Sequence, residues 1–258
     1  MTPGQLVKAV SIALDMPVET ITQHDRNLAI AGVRTMGARG RHAPHATPLD
    51  AARLLVATLG SVRVKDSVET LRMFENTQKQ PELDWPKVIA DSRARGMKVT
   101  GEQERHLLGN PRKFSDPAID ALPQTHNFIE GLAALISAAS GPIEDLDQYL
   151  QRFAEIYIEC GGPVWIRARI GHMSQGSASY EQPRPEPSPK KPAQPEVPRY
   201  RQYVRYYGVF QKRDVYGVAI MLLGKAFRDG GLPFETTKEA VGALLGLNAP
   251  TKSKKKVV

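Results

Sequence analysis

Three blocks of apolar residues recur at helical spacing between positions 5 and 60. Leu6, Val10, Ala13 and Leu14 fall on one face of a helix that Pro3 opens and Met16-Pro17 ends. A second helix is expected over about 18–31. Its inward face is Ile21, Leu28 and Ala31, with His24 or Asp25 at the margin, and Gly32 stands where a left-handed cap is needed. In the third block Thr47 is the cap, Pro48 the first helical residue and Asp50 an acid in the first turn. Leu54, Leu55, Val56, Ala57 and Leu59 are the positions to bury.

Beyond residue 60 the helical period continues at about 65–78, 84–95, 101–108, 126–139 and 143–154, with Gly141-Pro142 separating the last two. The period then changes from 3.6 to 2. Ile156 and Ile158 alternate with Tyr157 and Glu159. After Gly161-Gly162-Pro163, the residues Val164, Ile166, Ala168 and Ile170 alternate with Trp165, Arg167 and Arg169. This predicts an antiparallel hairpin buried on one face. Seven prolines between positions 183 and 198 predict a semi-rigid, solvated linker, or less simply a ligand for an SH3-like groove. Helical spacing returns over about 201–228, breaks at Gly230-Gly231 and resumes over 236–247. The expected fold class is mainly α (α+β): an N-terminal module (1–60), an α-rich middle domain with a hairpin (61–180), a proline-rich linker (181–198), a basic helical segment (199–250) and a lysine tail (251–258).

Charge sharpens this division. The chain of 258 residues carries a net charge of +8, with twelve Lys and Arg against four acids after position 198 and a slightly acidic middle. Segregated positive charge points to a polyanionic partner more strongly than the total does. One cysteine, Cys160, excludes an intrachain disulfide framework and fits a reducing compartment. No basic segment followed by an apolar run opens the chain, and no apolar run is long enough to span a bilayer. A soluble, cytoplasmic, nucleoid-associated protein without membrane contact is therefore expected.

The outward positions of the second helix are Thr20, Thr22, Gln23, Arg26 and Asn27, residue types that donate to phosphates and reach base edges. After Gly32 come Val33-Arg34-Thr35-Met36 and then Gly37-Ala38-Arg39-Gly40-Arg41-His42. A short strand entering a Gly- and Arg-rich loop suits a wing, since glycines let the chain turn back and arginines lie along a sugar-phosphate backbone. The stretch DMPVETITQHDRNLAIAGVRTMGARGR resembles the winged helix-turn-helix of bacterial and phage transcription regulators. The resemblance covers about residues 5–60. It implies that the helix holding Thr20 to Asn27 is a recognition helix anchored by Leu28, and that Arg34, Arg39, Arg41 and His42 belong to a wing. Family members usually have one more helix before the first one here, so the helix after Pro48, or a partner subunit, must complete the core.

A second basic region follows the prolines. Arg199, Arg201, Arg205, Lys212 and Arg213 are interleaved with Tyr200, Tyr203, Tyr206 and Tyr207. Such a segment suits phosphate binding and base stacking, or equally a buried aromatic stripe with a solvated basic face. Lys252, Lys254, Lys255 and Lys256 add charge that suits salt-dependent, sequence-independent affinity. His42 and His45 stand near no cysteine or carboxylate cluster, so neither a metal site nor another cofactor is expected. Cys160 has no base near it in sequence, and Arg167 and Arg169 are read as ordinary strand residues. Without a phosphate-binding loop, nucleophile elbow or zinc-protease motif, the chain is expected not to be an enzyme.

The reading that follows is a duplex-binding transcription regulator acting as a homodimer. Two others stand beside it: a phage-type DNA-packaging or replication accessory protein whose residues 199–258 recruit a protein partner, and a protein–protein adaptor whose positive charge meets acidic partners.

Overall fold

The computed structural model describes residues 1–35, 45–80, 85–101, 114–162, 167–173, 177–182 and 211–245. Helix α1 (Pro3–Leu14) starts with Thr2 and Gln5 capping each other's backbone amides, and ends where Asp15 turns left-handed at φ 51°. Pro17 then opens α2 (Val18–Ile30). Gly32 takes φ +69° and lets the Val33 amide reach back to the Leu28 carbonyl at 3.1 Å, which closes the helix end as its position predicts. Helix α3 (Pro48–Gly60) is capped by Thr47, with Asp50 answering from the first turn. Ala51, Ala52 and Leu54 to Leu59 are all buried, so α3 is enclosed on every side.

A 3-10 turn (Val64–Asp66) leads into α4 (Ser67–Glu75) and a short strand β1 (Gln78–Lys79), in place of one helix over 65–78. Four helices follow: α5 (Trp85–Ala94), α6 (Pro117–Asp120), α7 (Phe128–Ala139) and α8 (Leu146–Phe153). The helix expected over 101–108 lies outside the described residues except for Gly101.

The predicted hairpin is present as β2 (Ile156–Gly162) and β3 (Arg167–His172), with Ile158 opposite Ile170 and Cys160 opposite Ala168. It forms the centre of an antiparallel sheet ordered β1-β4-β3-β2-β5, in which β4 is Ser177–Glu181 and β5 is Gln211–Tyr216. Ile156, Ile158, Cys160, Ala168, Ile170, Ala178 and Tyr180 bury one face of the sheet against α3, α7 and α9 (Gly217–Asp229). The last helix is α10 (Thr237–Leu244).

Two expectations for the second half are corrected. Residues 211–216 form a strand rather than part of a helix over 201–228, because β2 offers them a pairing edge that helical spacing cannot register. Glu181, expected to begin the linker, ends β4 and pairs with Arg167. Residues 183–200, which hold the prolines, lie outside the described set.

One hydrophobic core runs through the chain. α1 packs on α9 and α3 packs on α7, so helices from the first 60 residues share their buried side chains with those from 128–139 and 217–229. α9 also approaches α7 closely at Gly224, where an added Cβ would lie 2.5–2.6 Å from the carbonyl group and Cβ of Ala139. No helix among the described residues is long and apolar enough to cross a membrane. The chain is thus a mixed α/β protein with an antiparallel sheet.

Candidate nucleic-acid interface

The 3.6-residue period divides α2 into two faces. Ile21, His24 and Leu28 are buried against α1, α3 and α4. Val18, Glu19, Thr22, Gln23, Arg26 and Ile30 form a continuous exposed arc with Arg26 near its centre. Glu19 is the one acid on it, in the first turn, where a carboxylate complements the helix dipole.

Each edge of this arc is fixed by a neighbouring segment. On one edge, the Asn27 amide donates to the Val64 carbonyl at 2.8 Å and holds the 3-10 turn against α2. Ser67 Oγ donates to the same carbonyl, so its hydroxyl accepts from the ring Nδ1 of buried His24 at 2.7 Å. On the other edge, Arg34 Nη1 contacts both carboxylate oxygens of Asp25, at 2.9 and 2.8 Å. Both side chains are mostly buried. Burial raises the Asp25 carboxyl above its ordinary range, against the attraction of Arg34.

Asp50 brings Thr35 and Thr47 together. Its carboxylate accepts from the Thr35 amide at 3.0 Å, and from the Thr47 amide and hydroxyl at 2.8 Å each. Burial alone would raise the Asp50 carboxyl; these donors outweigh burial and hold it below the usual range.

Of the residues expected to contact DNA, Gln23 and Arg26 are exposed on the arc, and Arg26 makes no ion pair with a described residue. Thr22 is exposed, with its hydroxyl donating to the Val18 carbonyl at 2.7 Å, and Thr20 is half-buried. Asn27 and Arg34 are not outward contacts: both are held by partners within the protein. The strand expected directly after Gly32 is absent over 31–35, which run as turn and bend. Arg39, Arg41 and His42 lie outside the described residues, as do Arg199, Arg201 and Arg205. Lys212 and Arg213 are on β5, paired through the backbone with Gly161 and Cys160.

The chain matches no protein-family model, no curated protein and no solved structure. Any functional assignment must therefore come from the residues themselves.

Two basic residues of the arc's surroundings were not expected. Arg63 and Lys65 flank Val64 and are exposed beside the Asn27 edge. Arg63 carries a surface ion pair to Asp66 at 3.0 Å. The signal in the sequence was only a pair of basic residues two apart, and their nearness to α2 follows from a contact spanning 37 positions.

A separate cleft of about 760 Å³ is lined by Glu75, Asn76, Gln78, Asn127, Glu130 and Gln182, with His126 at its floor. Both nitrogens of the His126 ring are engaged: Nδ1 donates to the Pro123 carbonyl at 2.6 Å, and Nε2 meets the Tyr180 hydroxyl at 2.9 Å. Burial pushes that hydroxyl well above its ordinary range. This pair ties the start of α7 to β4 and brings no nucleophile to the cleft. Among the described residues no three His, Cys, Asp or Glu side chains are grouped to hold a metal ion.

Proposed function

We propose that the chain binds duplex DNA, with the exposed arc of α2 entering the major groove and the arginines of segment 36–44 lying along the backbone. The observation that carries this reading is the arc itself. It is open along the whole of α2, ~20 Å at the rise of an α-helix, while the opposite face is anchored in the core. Gln23 and Arg26 have the donors to read base edges, and Val18 and Ile30 offer apolar contact to a thymine methyl. Asp25, the other acid on α2, is matched by Arg34, so it does not repel a phosphate.

One such helix covers only a few base pairs, so the protein acts as a homodimer on two half-sites, in the role of a transcription regulator. Selection of bound fragments from a random duplex pool tests this. Enrichment of a two-fold motif by the wild type, weakened by Gln23→Ala/Arg26→Ala, is the expected result. Binding with no sequence enrichment would overturn the regulator.

A further inference from the structure

The basic surface beside α2 does not stop at the helix. Val64 lies against Asn27, whose position borders Gln23 and Ile30 on the exposed arc. Its carbonyl accepts from both the Asn27 amide and Ser67 Oγ, and His24 donates to Ser67 from the buried side of α2. Two residues of α2, three positions apart, therefore hold one carbonyl of the 3-10 turn in place. The residues on either side of that carbonyl are Arg63 and Lys65. Both are exposed, with the Arg63 side chain 66% accessible.

We propose that Arg63 and Lys65 form a phosphate-contacting ledge along the Asn27 edge of α2, the edge away from the Arg34–Asp25 pair. The protein would then hold a duplex from both rims of the major groove. This inference rests on the DNA-binding reading and extends it to residues which the helix-and-loop pattern leaves out.

The arrangement suits phosphate better than base recognition. Arg63 and Lys65 sit on a short turn held against the Asn27 edge of the helix, where a groove-bound helix has the sugar-phosphate backbone as its neighbour. The competing ion pair to Asp66 engages Arg63 Nε and joins an exposed arginine to a half-buried carboxylate three residues on. A surface pair of this kind contributes little and is readily exchanged for a phosphate. Asn27 acts as a positioning residue. It brings two positive charges to the edge of the exposed arc without itself facing the groove.

The test is the salt dependence of binding to a labelled random-sequence duplex, followed by fluorescence anisotropy on the full chain. Each phosphate contact contributes about 0.9 to the slope of log affinity against log salt, so Arg63→Ala/Lys65→Ala is expected to reduce the slope by about 1.8. A charge control, Lys98→Ala/Lys238→Ala, removes the same charge from the stretch after α5 and from α10 and should leave the slope unchanged. Asn27→Ala changes no charge yet should lower the slope, measured where circular dichroism matches the wild type. A wild-type slope in Arg63→Ala/Lys65→Ala, alongside a reduced slope in Arg39→Ala/Arg41→Ala, would overturn the ledge and leave the parent reading standing. Absence of salt-dependent binding by the wild type would overturn both. A wild-type slope in Asn27→Ala would remove its positioning role.

Discussion

Arg34 holds Asp25 through a single nitrogen. Nη1 reaches both carboxylate oxygens, while the buried Nε finds no hydrogen-bond partner among the described residues. An arginine placed in a wing is thereby an internal counter-ion, and it joins the segment after Gly32 to the flank of α2. Because the geometry is not the two-pronged fork of guanidinium and carboxylate, an ammonium can substitute. Arg34→Lys is expected to unfold within about 1 kcal/mol of the wild type. Arg34→Ala strands a carboxylate that burial already disfavours, and should cost about 2–3 kcal/mol. Urea midpoints of the two variants check this, and equal losses would contradict it.

Asp50 gives the fold an acid sensitivity of definite sign. Its carboxyl is held below the ordinary value of 3.8, so its contribution is present above that pH and is lost as pH falls through the folded-state value. Asp25 has the opposite sign. Its raised value gives stability that is present below 3.8 and lost as pH rises through the folded-state value. The two oppose each other in mild acid. Asp50→Asn should lower stability by about 1–2 kcal/mol at neutral pH and flatten the fall below pH 4. Urea midpoints over a pH series would show this, whereas parallel curves for the variant and wild type would refute it.

The shared core makes a further demand. α1 and α3 bury their apolar faces against α9 and α7, so a fragment of residues 1–60 lacks the surfaces that bury them. Such a fragment is expected to show little cooperative unfolding by circular dichroism. In the full chain, Gly224→Ala drives a methyl group into the Ala139 backbone of α7 and should destabilise by about 1–3 kcal/mol. A stable fragment together with a silent Gly224→Ala would mean that the first 60 residues stand apart.

Local signals were legible, and distant partners were not. Pro3, Thr47-Pro48 and Gly32 mark helix ends by chemistry within a few residues, and all three stand where their types require. Ile158 and Ile170 announce the hairpin by alternation across a short gap. β5 gave no such signal, since Gln211 to Tyr216 is mostly polar and becomes a strand only by pairing with β2, some 50 positions earlier. The interface divides in the same way. Gln23 and Arg26 are outward by helical phase alone. Asn27, one turn beyond Gln23 and at the edge of the arc, is held by the Val64 carbonyl, which no periodicity in α2 foretells.

Whether α2 presents a duplex-binding face is decided by affinity for a random-sequence duplex as salt is raised. Wild-type binding is expected to weaken steeply and log-linearly with salt. Arg26→Ala should weaken it by roughly 1 kcal/mol without lowering the melting temperature, as expected for loss of an exposed, charge-assisted contact. Binding that ignores salt, or an Arg26→Ala protein with wild-type affinity and slope, would contradict a duplex-binding face on α2.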